Sequence, residues 1–243
     1  MLVAAHYRAK GRLEKYKLAL KAAGEKLSVV ELTPLPAPEA FRASFELMQA
    51  ANLVRPPWTN FLPVMTFIAP GKARVSWQQE VLSNSEASSL WPGSSREVAT
   101  SQAALAEIRA VLRAPTLTFD LNYRQGASLL LPHLARLKGV AQWLSAATVV
   151  ELHEGRATNA FEDLLALTTL AERYKGEPLM ISELVRVSIA AIAGAASWEA
   201  LQASDCTEAQ LKALQTGWEG VDFLSQAEAS LGMERGGGRK ELR

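Results

Sequence analysis

The chain has 243 residues, of which 49% are hydrophobic, so it can build a substantial core and wholesale disorder is excluded. Its 26 Lys and Arg residues are offset by 25 Asp and Glu, which leaves no overall basic field, and no nucleic-acid partner is expected. Cys206 is the only cysteine, which rules out an internal disulfide.

In chain order, the first predicted helix covers about 5–23, with Leu13, Tyr16, Leu20 and Ala23 at helical spacing and Gly24 as its C-cap. Pro34, Pro36 and Pro38 then impose an extended connection. A second helix over 39–53 is expected to bury Phe41, Phe45 and Met48. Residues 54–94 carry five prolines and Trp58, Phe61, Phe67, Trp77 and Trp91, and read as an irregular, packed excursion with a short strand near ARVSW. From about 96 the chain turns helical, with Leu105, Ile108 and Leu112 on one stripe that ends before Pro115.

A connector over 116–126 leads to a long helix at 129–154, on which Leu134, Leu137, Ala141 and Leu144 alternate at three and four residues and Gly155 marks the stop. The next helix, 158–175, places Ala160, Leu164, Leu167, Ala171 and Tyr174 on one face. Pro178 suits the first turn of a helix over 178–202, apolar nearly all round from 187 to 196 and therefore expected to be central. The run VSIAAIAGAASW at 187–198 falls short of the roughly 18 apolar residues that span a bilayer, so no transmembrane segment is expected. Thr207 and Gln210 form a capping box that opens a last helix with Leu211, Leu214, Trp218 and Val221 as its stripe. The predicted organisation is N-terminal helices plus the Pro/Trp-rich segment over 1–94, a helical bundle over 95–231 and a disordered tail over 232–243. Short connections after residue 129 imply antiparallel neighbours, so the fold class is all-α: an antiparallel bundle or short α-α array.

Chemistry is sparsely signalled. His153-Glu154 resembles the start of a zincin helix, but the second histidine would fall at Ala157, and Gly155 breaks the helix that would align the ligands. His6 and His133 have no partner at metal-ligand spacing, and there is no nucleophile elbow or phosphate loop. No cofactor or metal is therefore expected, and no catalytic residue is assigned. Two binding sets remain. Glu183 and Arg186 lie three apart on an otherwise apolar helix, where Asp163 of the preceding helix is placed to join them. Trp58, Trp77 and Trp91, interspersed with Arg55, Lys72 and Arg74, suit stacking on a peptide, glycan or base.

The turn GRATNAFEDLL at 155–165 resembles the inter-helix turn of tetratricopeptide hairpins. It departs from them in that Pro178 lies eighteen residues after Ala160, where the repeat closes after about twelve. More broadly, LKAAGEKLSVVELTPLPAPEA, FIAPGKARVSWQQ and the stretch from LNYRQGASLLLPHLARLKG to ELVRVSIAAIA are similar to a group of uncharacterised helical proteins of planctomycete and verrucomicrobial bacteria. Members often carry an N-terminal membrane anchor, so the resemblance implies a cell-envelope setting, and it brings no activity and no site residues. The expected function is a non-enzymatic helical scaffold with a protein or peptide partner. The alternatives are a hydrolase whose site forms only in three dimensions, or a structural domain of a larger anchored protein.

Overall fold

The computed structural model describes residues 2–34, 38–54, 84–201 and 206–237. Among these residues the fold is all-α, without strands. Helix α1 spans Leu2–Ala22, α2 Val29–Leu32, α3 Pro38–Leu53 and α4 Asn84–Val111. A 3-10 turn at Tyr123–Ser128 precedes α5 at Pro132–His153, α6 at Ala157–Arg173, α7 at Met180–Ala200, α8 at Glu208–Glu219 and α9 at Leu224–Gly237.

The heart of the fold is α5, which is buried along almost its whole length and packs on α6 and α7, while α3 and α4 close its other side. The three-and-four spacing produces this directly: Leu137, Ala141 and Leu144 are fully buried and Leu134 nearly so. On α6 the predicted face of Ala160, Leu164, Leu167, Ala171 and Tyr174 is likewise inside. Between the two helices, Gly155 takes φ +74. Its N–H donates to Leu152 O (3.1 Å) and that of Arg156 donates to Glu151 O (2.8 Å). Those two bonds close a Schellman turn, which needs the left-handed conformation that glycine adopts freely.

Several expectations are corrected. α4 begins at Asn84, so residues 84–94 are helical and Pro92 is accommodated inside the helix at the cost of one backbone hydrogen bond. The boundary expected at 94/95 falls within α4, and α3 shares the bundle's core through Leu47 and Ala50. On α3 the buried face is Ala40, Ala43, Ser44, Leu47 and Ala50, which leaves Phe45 exposed; the small residues allow close approach to α4 and α5. α1 ends at the predicted Gly24 cap, but Leu13 and Tyr16 face solvent. α7 begins at Met180, after Pro178. The Thr207–Gln210 capping box is present, but of the predicted α8 stripe Leu214 is buried and Leu211 is exposed. α9 runs to Gly237, into the segment expected as a tail, and Met233 is buried there. The predicted strand near ARVSW lies outside the described residues.

Candidate functional site

The predicted meeting of Asp163, Glu183 and Arg186 does not occur. Arg186 Nε donates to Glu183 Oε2 (2.9 Å) and its second guanidinium nitrogen to Glu183 Oε1 (2.8 Å), a bidentate pair with Arg186 only 1% exposed. The same guanidinium donates to Ala171 O (3.2 Å) near the end of α6 and to Asp222 O in the α8–α9 connection, and it lies 4.6 Å over the Phe223 ring. Four of the five guanidinium N–H groups are thus directed at fixed protein acceptors. The pair therefore ties three elements together, which accounts for its burial as a structural ion pair.

Asp163 stands eight residues before Ala171, about 12 Å up the α6 axis, where it pairs with Arg109 of α4. It is fully buried, and its Oδ2 has no hydrogen-bond partner among the described residues. Burial pushes its carboxyl up to about 6; Arg109 pulls the other way, and Glu151 and Glu162 add to the rise. Nearby, Glu151 is bound by Gln102 (3.1 Å), Asn159 (3.4 Å) and Arg156 in the floor of an open cleft rimmed by Ser95 and Glu154. Arg156 also pairs with Glu154, so the acidic groups of this cleft are matched by a cation the turn itself supplies.

One polar cluster was not predicted. His133 Nε2 lies 3.1 Å from Glu177 Oε2, which also accepts from Tyr174 Oη (2.6 Å), and Phe119 stacks on the His133 ring at 4.1 Å between centroids. His133 and Tyr174 are buried. Burial and the neighbouring Glu177 charge raise the Tyr174 hydroxyl well above the ordinary tyrosine range, so it stays a proton donor to Glu177. The partners are 44 residues apart in sequence, which hid the pairing from any spacing rule. His153 ends α5, and burial lowers its titration with Glu154 opposing. Among the described residues no group of three or more His, Cys, Asp or Glu side chains is placed to hold a metal ion. Of the aromatic set, Trp58 and Trp77 lie outside the described residues, and Trp91 falls in α4.

Among the described residues α7, expected to be central, is in fact two-sided. Its three charged residues, Glu183, Arg186 and Glu199, all point into the bundle. Its outward side carries Ile181, Leu184, Val187, Ala191 and Trp198, followed by the C-cap Leu201. Leu184 is 58% and Trp198 66% exposed. A surface helix ordinarily does the reverse, burying its apolar stripe and exposing its charges. The inversion arises because the acceptors for Arg186 are on α6 and the α8–α9 connection, beneath the helix. By length and composition α7 is also long enough to cross a membrane, unlike the run 187–198 alone, although half of it is packed inside the bundle. The spacing of residues 181, 184, 188, 191, 195 and 198, alternating by three and four, was readable in the sequence; which side of the helix it occupied was not.

No protein-family model matches the chain, and comparisons with curated protein sequences and with solved structures return no match. The resemblances noted from sequence therefore gain no support there.

Proposed function

We propose that the protein is a non-catalytic helical scaffold that engages another protein surface through the outward face of α7. The observation that carries this reading is the inversion of α7: every charge on it is turned inward while Ile181, Leu184, Val187, Trp198 and Leu201 are exposed. Contiguous exposed apolar residues of this kind mark interaction sites, whereas isolated ones need no explanation. An aromatic anchor such as Trp198 among aliphatic neighbours has the composition of an interface core. The polar groups speak for the same reading. Arg186 with Glu183, and Tyr174 with Glu177 and His133, are spent on internal partners, and Asp163 is closed over by Arg109.

The reading is tested with a photo-crosslinking amino acid placed at Leu184, and at Glu107 on α4 as a control, in cells producing the protein. Protein adducts from position 184 and none from 107 are expected. Equal adduct yields at the two positions, or none at 184, would overturn the reading.

A further inference from the structure

We propose that the occupant of the α7 face is a second copy of this chain, with the two α7 helices antiparallel about a two-fold axis through Ala191. The proposal rests on the reading of that face as an interaction surface and names its partner.

The distribution of side-chain bulk carries the argument. Ile181 and Leu201 stand ten residues on either side of Ala191, and Leu184 and Trp198 stand seven on either side. A two-fold axis at Ala191 therefore sets Ile181 opposite the partner's Leu201 and Leu184 opposite the partner's Trp198. Val187 meets the partner's Ala195, bulk against a small residue. Such a surface is self-complementary, as an isologous interface requires. The size gradient also matches the geometry of crossed helices, which are closest at the crossing point and diverge toward their ends. Small Ser188, Ala191 and Ala195 occupy the centre and the large side chains occupy the ends. With Glu183, Arg186 and Glu199 buried, no like charges meet across the axis, and antiparallel helix dipoles oppose each other favourably.

A lipid surface fits less well. Helices that lie in a membrane interface carry Lys and Arg on the side facing the headgroups, and the one cation of α7, Arg186, is 1% exposed. A strip about 30 Å long and about 10 Å wide covers roughly 300 Å², well below the about 800 Å² per partner of a standard interface, so a weak dimer, of micromolar affinity or looser, is expected.

Sedimentation equilibrium of the full chain over about 1–300 µM tests this. The weight-average mass should rise toward twice that of the chain, and Leu184→Glu or Ala191→Glu should weaken association at least tenfold with an unchanged far-UV circular dichroism spectrum. In a Cys206→Ser background, Ala191→Cys should be joined to its own copy by a short bismaleimide. Ile181→Cys should not, because antiparallel pairing holds the two copies of that position about 30 Å apart. A wild-type chain that stays monomeric throughout overturns the proposal. So does cross-linking of Ile181→Cys to itself, or a monomer that sediments with phosphatidylcholine vesicles. Adducts to a different protein at position 184, together with a monomeric chain, would remove the second copy and leave the scaffold reading standing; no adducts at all would remove both.

Discussion

Glu183 and Arg186 form a two-bonded ion pair inside the bundle, and the arginine also donates to the carbonyls of Ala171 and Asp222. One side chain thus fixes the end of α6 and the α8–α9 connection against α7. Arg186→Met should lower stability by about 3–5 kcal/mol, because Glu183 is left buried without its counter-charge. Adding Glu183→Leu should restore a large part of that loss. Urea denaturation of the two single variants and the double variant measures the coupling, and additive effects would contradict the ion-pair account.

At Gly155 the backbone holds φ +74, and a Cβ added there would meet no other atom within 4 Å. The loss on substitution is therefore set by the local backbone conformation, with no clash of the Cβ against the surrounding fold. Gly155→Val should cost at least about 1–2 kcal/mol, the penalty for an L-residue in the left-handed region; Gly155→Asn should cost less. Thermal melts that place the valine variant level with wild type would contradict the Schellman corner.

Asp163 should leave a pH signature. Its carboxyl titrates near 6 in the folded protein and near 3.9 when unfolded. Between those values the folded state holds more protons, so this group's contribution to stability falls as pH rises through that window, and its destabilising effect is complete above about 6. Asp163→Asn, which mimics the protonated form, should gain on wild type by about 2 kcal/mol between pH 4 and pH 7. A difference between the two proteins that does not change with pH would contradict the buried-carboxylate assignment.

The Thr207 hydroxyl accepts from the Gln210 N–H at 3.2 Å, and Gln210 Oε1 accepts from the Thr207 N–H at 2.9 Å. Thr207→Ala should cost about 1 kcal/mol. Thr207→Ser should cost much less, as chemical denaturation would show.

What the sequence revealed was local. Leu137, Ala141 and Leu144 are inside because helical periodicity alone selects them, and Gly155 is the corner because few residues other than glycine stand there without strain. Pairings set by tertiary packing were hidden. Asp163 meets an arginine 54 residues away, and His133 meets a glutamate 44 residues away. The apolar character of α7 was plain, but its inward-facing charges depend on the carbonyls of Ala171 and Asp222, acceptors on other elements. A sequence apolar nearly all round therefore points to a central helix, although one side of it is surface. On α3, Phe45 lost the interior to Ala43, Leu47 and Ala50 because helix contact there is close enough to favour small residues.

The claim that α7 is where this protein meets a partner is tested most directly by carbene footprinting. The peptide holding Ile181, Leu184 and Trp198 would be labelled in dilute purified protein and in cells producing it, with exposed Glu107 of α4 as reference. Strong labelling in dilute solution and marked protection in cells, with the reference unchanged, is the predicted result. Equal labelling of the α7 peptide in both settings would contradict the account.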